Sequence, residues 1–280
     1  MNYLLPILTA LLLCAPDRSA GDEAGYVDDQ ALLQSLTRQV QQLQDAGKLA
    51  PIKLLREQLA RTACALRLSE PPRRALAAPE LYRRAQPSVL VHCSLYLCGK
   101  CQRRHVNIST CFPLTADGVC AANYHTFIVS NTMAMAVATR DGRVFPVTEV
   151  LAASQRDDVV VFRTAAGHLA PLALAAAEVG EPVAVLSHPG NLFYVLTQGA
   201  VARYCLDQGA PRMQITADYA AGSSGGPVLN SAGAAVGMVA STRDLYAQQP
   251  LHDQHDNLQM VVKLCVPAAS IRKLLKDSKE

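Results

Sequence analysis

The sequence predicts a mainly β domain, barrel or sandwich, over residues 86–276, preceded by a helical extension over residues 28–68. Short β-prone runs recur from Ser88 onward with turn residues between them, and helix-forming stretches are scarce there until residue 268. Apolar residues at three- and four-residue spacing concentrate before Ser69. Many short strands at regular spacing build closed or stacked sheets.

Taken in order, residues 4–15 form an apolar run too short to cross a bilayer as a helix and of the length of a signal-peptide core. Residues 1–20 are therefore expected to be a signal peptide, and the protein to be exported, secreted or periplasmic, without stable membrane insertion. An uncleaved anchor and a cytosolic protein stand as alternatives, because no Lys or Arg precedes the run and Arg18 sits beside the expected cleavage site. Lys+Arg 26 against Asp+Glu 23 gives a net charge of only +3, and no basic block carries interleaved aromatics, which excludes nucleic acid as the expected partner. The 50% hydrophobic composition supplies a core, built without Trp mostly from Val, Leu and Ala.

In residues 28–68 the apolar stripe Leu32, Leu36, Val40, Leu43 is followed, after Gly47 and Pro51, by Ile52, Leu55, Leu59 and Leu66. This spacing predicts an antiparallel helical pair, a packing appendage, an inhibitory pro-segment or an oligomerisation arm, within an extension and linker that run over residues 21–85. Residues 69–78, with paired prolines and arginines, read as the linker, and a short helix follows Pro79. Asp117-Gly118 and Asp141-Gly142 each stand between β-prone runs, a strong hairpin signal. Further strands are predicted at 159–163, 182–187, 194–204, 213–217, 227–229, 234–241 and 258–265, with a closing helix at 268–276.

Chemistry concentrates in Gly222-Ser223-Ser224-Gly225-Gly226-Pro227. Glycines leave room for a backbone path that turns amide N–H groups toward one point, an oxyanion hole formed by the turn Gly222, Ser223, Ser224, with the N–H groups of Gly222 and Ser224 as donors. Ser224 would be the nucleophile. A serine hydroxyl needs a histidine to take its proton and a carboxylate to fix the histidine tautomer. His125, in the segment GVCAANYH, and Asp158, at the mouth of the run DVVVF, supply them. Asp157 is the neighbouring alternative.

GVCAANYH, DVVVF and ITADYAAGSSGGPVLNSAGAAVGMVAS resemble, in order and spacing, the histidine, aspartate and nucleophile segments of HtrA-type and other bacterial trypsin-like serine peptidases. The resemblance covers residues 86–276, with no PDZ module expected after them. Ala122 stands where Thr is usual and Cys111 where Gly is common. The resemblance implies a chymotrypsin-like double β-barrel, with His125, Asp158 and Ser224 in the cleft between barrels. It further implies a serine endopeptidase that hydrolyses a protein or peptide substrate through an acyl-enzyme intermediate, without a cofactor. By the same resemblance Val239, Ala240 and Ser241 would line an extended peptide. Asp218, six residues before Ser224, would either floor the pocket for the residue preceding the scissile bond or cap a turn. A catalytically idle scaffold that binds through its groove or its cysteine-rich loop is the alternative of a different class.

That loop carries Cys93, Cys98, Cys101 and His105, a ligand set for structural zinc. Disulfides are the competing expectation, because an exported chain oxidises such thiols and removal of Cys14 leaves an even number. A redox pair is the third reading.

Overall fold

The computed structural model describes residues 26–247 and 257–276. The expected signal segment with Cys14, and also His252 and His255, lie outside the described residues. Helix α1 (Asp29–Asp45) and helix α2 (Ile52–Glu57) open the described chain, followed by a two-residue strand β1 (Cys64–Ala65) and helix α3 (Ala78–Ala85). Strands β2 (Leu90–Leu97), β3 (Arg104–Pro113) and β4 (Val119–Ala122) lead to a one-turn helix α4 (Tyr124–Phe127). Strands β5 (Thr132–Ala138), β6 (Val144–Ser154) and β7 (Val159–Thr164) complete the first half. The second half contains β8 (Pro182–Ser187), β9 (Val195–Asp207), β10 (Ala210–Ile215), β11 (Pro227–Asn230), β12 (Ala235–Tyr246) and β13 (Leu258–Pro267). Helix α5 (Ala268–Arg272) and strand β14 (Leu275–Lys276) follow.

Two closed six-stranded barrels result, in the orders β2-β3-β4-β7-β6-β5 and β10-β13-β12-β11-β8-β9. The protein is mainly β and built as a double barrel, as expected. Closure leaves no open sheet edge within either barrel. The two Asp-Gly turns join β3 to β4 and β5 to β6, and strand β8 has the bounds read from its sequence.

The N-terminal segment departs from a simple helical pair. Only α2 and a following 3-10 turn (Gln58–Ala60) are helical after Pro51. Beyond Arg61 the chain is extended, and β1 pairs in parallel with β14, Cys64 opposite Leu275. The expected closing helix accordingly stops at Arg272, because the next residues are used as that strand.

The segment packs on the following domain, as the packing reading expects. Leu36 and Val40 of α1 are fully buried with Val91, Cys93 and Ala136 of the first barrel, and Leu55 of α2 joins Phe127 and Phe162 in a second cluster. Each such burial contributes about 1.5–3 kcal/mol. Polar ties add direction: Gln39 donates to Gly142 O at 2.9 Å, Arg56 to Phe127 O at 3.1 Å, and Gln58 Oε1 accepts from Val150 N at 2.8 Å. The apolar stripe offered for oligomerisation is thus occupied by the chain's own barrel. Among the described residues, no helix is long and apolar enough to cross a membrane.

The eight described cysteines are unpaired. The expected disulfide framework is therefore absent among them, and Cys93, Cys111, Cys120 and Cys265 act as small apolar core residues. Burial pushes the thiols of Cys93 and Cys265 up to about 12, which keeps them unreactive.

Two histidines are enclosed as well. His92 on β2 stacks on Phe127 with centroids 5.3 Å apart and shares a 2.8 Å hydrogen bond between Nδ1 and Ser109 Oγ. His188 is fully buried, and its Nδ1 accepts from Tyr194 N at 3.1 Å. Burial lowers His92 to about 4 and His188 to about 3. Below pH 6.5 the unfolded chain takes up protons that the folded rings refuse. Their contribution is therefore complete above pH ~6.5 and is lost as pH falls toward ~4 and ~3, on the order of several kcal/mol together. The thermal midpoint should fall from pH 7 to pH 4.5, and His92→Gln, which has no proton to gain, should show a shallower fall. Equal slopes for the two proteins would refute this.

Candidate active site

His125 is set by the end of β4. Asn123 leaves the strand in extended conformation, with φ −77° and ψ 145°, and starts α4, so the imidazole projects from a single helical turn. Asp158 precedes β7 with φ +61°, a left-handed conformation that Asp tolerates better than most side chains. Its Oδ1 accepts the His125 backbone N–H at 3.0 Å, and its Oδ2 lies 2.9 Å from His125 Nδ1. Asn123 Nδ2 donates to the same Oδ2 at 3.1 Å and to Asp158 O at 3.2 Å.

Because a carboxylate only accepts, Nδ1 must carry the hydrogen in this pair, which leaves Nε2 as the free base. The His125 side chain is 45% exposed and that of Asp158 16% exposed, so the base faces solvent and its anchor does not.

Asp157, the alternative, turns the other way. Its carboxylate lies 3.9 Å from Lys273 Nζ, and its carbonyl accepts from Arg212 at 3.2 Å. The left-handed turn at Asp158, before β7, accompanies this divergence of the two carboxylates.

The loop Gly222–Pro227 precedes β11 and lies against the first barrel. Thr110 on β3 donates its N–H to Ser224 O at 2.8 Å and its hydroxyl to Gly222 O at 2.9 Å. Gly225 has φ +86°, and a Cβ there would collide with the Thr110 carbonyl and lie 3.6 Å from Ala122 Cα. Gly222 has φ +95°, and a Cβ there would collide with His188 O. These two glycines let the loop enter the seam, beside the end of β4 that presents His125.

Ser224 Oγ lies 3.4 Å from Ala240 O on β12, and among the described residues no hydrogen bond joins it to His125. The structure therefore pairs His125 with Asp158 and seats Ser224 on an adjoining loop. The N–H groups of Gly222 and Ser224 have no acceptor among the described residues. Ser223 departs from the expected oxyanion set: its N–H donates to Ala220 O at 3.0 Å and its hydroxyl bonds Ser187 Oγ at 2.9 Å inside the protein. Its amide is consumed by the turn that aims its two neighbours.

Asp218 is 85% exposed, and Lys263 Nζ lies 2.7 Å from its Oδ1, so it neither floors an enclosed pocket nor caps a turn with its carboxylate. Beneath it, Tyr219 is buried with its hydroxyl 2.9 Å from both Ser241 O and Leu264 O. Val239 and Ala240 are buried and Ser241 is exposed along β12.

Of the proposed metal ligands, Cys98, Cys101 and His105 converge, with their ligand atoms all within 4.8 Å of one another. Cys93 does not join them, because strand alternation turns it into the barrel, where its Sγ faces Val91 O. Sequence reasoning gave no role to Thr110, which carried no motif, nor to Asn123, although Asn123 lies within GVCAANYH.

Residues 109–238 match the family model described as the trypsin-like peptidase domain, a stretch that runs from the first barrel into the second. The serine endoprotease DegS of Haemophilus influenzae is 25% identical over 182 residues, covering 62% of this chain and 52% of that protein. The match thus spans about half the length of that curated relative. Among solved structures, the HtrA-type protease AlgW with a decapeptide has a TM-score of 0.56 at 16% identity, covering 70% of this chain and 66% of its own. The serine endoprotease from Yersinia pestis has a TM-score of 0.53 at 20% identity, covering 72% and 66%. At these identities the structural likeness is one of fold.

Proposed function

We propose that the protein is a serine endopeptidase in which Ser224 attacks a peptide carbonyl, His125 Nε2 takes and returns the proton, and Asp158 holds and stabilises the imidazolium. The amides of Gly222 and Ser224 receive the developing oxyanion, and an acyl-enzyme on Ser224 is then hydrolysed by water. The observation that carries this reading is the His125–Asp158 pair, with Nδ1 committed to a carboxylate that two further donors hold in place. The Ser224 hydroxyl must rotate from Ala240 O toward Nε2, an adjustment in keeping with the loose catalytic hydrogen bonds of ligand-free sites. A fluorophosphonate probe should label the purified chain at Ser224 alone. A folded chain that resists labelling would point instead to the idle binding scaffold.

By resemblance an extended peptide adds along β12, past Val239, Ala240 and Ser241. The Asp218–Lys263 ion pair cancels the charge that would favour Arg or Lys before the scissile bond, so small apolar residues are the proposed preference there. Peptides with Ala or Leu at that position should be cleaved faster than the Arg peptide. A wild-type preference for Arg would refute the assignment. The apolar run at residues 4–15 supports work outside the cytosol, as a secreted or periplasmic enzyme.

A further inference from the structure

We propose that Cys98, Cys101 and His105 bind a thiophilic divalent cation, zinc foremost, at the tip of the β2–β3 hairpin. The turn is already folded for it. Cys98 N donates to Arg103 O at 2.9 Å and Gln102 N to Cys98 O at 3.0 Å, with Gln102 at φ +56°. This path brings both sulfurs to one side of the turn. Cys101 Sγ lies 3.0 Å from His105 Nε2, and all three ligand atoms lie within 4.8 Å of one another.

Two thiolates and an imidazole are a set that zinc favours over harder cations. Bonds of about 2.3 Å to sulfur and about 2.0 Å to nitrogen place tetrahedral ligand atoms roughly 3.5–4 Å apart, so small side-chain movements suffice. With Cys93 turned into the barrel, the fourth position faces solvent beside exposed Cys101 and takes a water.

The site adjoins a cavity that extends to the start of the serine loop. His105, with Tyr96 at 5.8 Å between ring centroids, lines a cavity of about 380 Å³ that reaches Ala221 and Gly222 and is walled by Leu33 and Thr37 of α1. No residue of β12 lines it, so on the peptidase reading above it lies on the leaving-group side of the scissile bond. A bound cation would fix the His105 ring and with it one wall of that cavity.

The test uses the reduced, metal-free full chain titrated with Co²⁺ and then Zn²⁺. One equivalent of Co²⁺ should give thiolate-to-cobalt absorption, and Zn²⁺ should displace it. Cys98→Ser and Cys101→Ser should abolish that absorption, His105→Ala should weaken binding by more than the ~10–100-fold typical of an outer-sphere partner, and Cys205→Ser should change nothing. Unaltered absorption in the two Cys98 and Cys101 variants, or none in the reduced wild type, would overturn the site. So would a purified chain whose thiol count shows Cys98 and Cys101 joined. Zinc should also change KM for peptides extended beyond the scissile bond and not for esters that end there. Indifferent kinetics with a cysteine-dependent cobalt spectrum would remove the cavity's role and leave the site, and the spectrum decides the site even for a chain that hydrolyses nothing.

Discussion

Ser224→Ala is expected to lower kcat/KM by about 10⁵- to 10⁶-fold while leaving the thermal midpoint within a degree or two of wild type. The two halves of this expectation have separate causes. Loss of turnover follows because no other hydroxyl occupies the loop tip: Ser223 turns inward to Ser187, and its amide is bound to Ala220. Retention of stability follows because Ser224 Oγ has a single long contact, 3.4 Å to Ala240 O, so its removal strands no close partner. Ser223→Ala should behave oppositely, since it leaves the buried Ser187 hydroxyl unpaired. Kinetics and thermal melts on the two variants distinguish them. A Ser224→Ala protein that still cleaves peptides within 100-fold of wild type would end the serine mechanism.

Asp158→Asn should cost about 10³- to 10⁴-fold in kcat with KM changed by no more than a few-fold. The carboxylate receives the His125 backbone N–H, the His125 ring and the Asn123 amide. An asparagine offers one accepting oxygen where these three donors meet two, and its NH₂ must face one of them. Turned toward the ring, it makes Nδ1 the acceptor and moves the hydrogen to Nε2, the tautomer that cannot take a proton from serine. Because Asp158 lies behind His125, peptide binding should be spared, and this split between kcat and KM separates it from a general loss of structure. A fall of less than 10-fold would show that His125 does not depend on this partner.

Much of the fold could be read from local signals. The Asp-Gly turns and the apolar run of β8 are short-range features, and the structure uses them where they stand. The failures lie where a distant partner decides. Leu66 continues a helical spacing, yet its segment is drawn out by pairing with β14, a strand far along the chain that no local pattern announces. The cysteines looked like a disulfide framework by number, but four of them are small apolar residues in barrel interiors. At the candidate site, the pairing of His125 with Asp158 could be read because each stands in a short run whose neighbours mark it. Thr110 could not, because its importance arises from the opposite barrel closing over it. Asp218 was misjudged for the same reason: Lys263 reaches it from β13, and spacing from the serine carries no trace of that amine.

The two hydrogen bonds from Thr110 to the carbonyls of Ser224 and Gly222 mean that the serine takes its bearings from the half of the molecule to which it does not belong. Each barrel could be internally sound and the protein still inert if the halves docked one residue out of step. Correct assembly, and not merely the presence of the right side chains, is built into the candidate site.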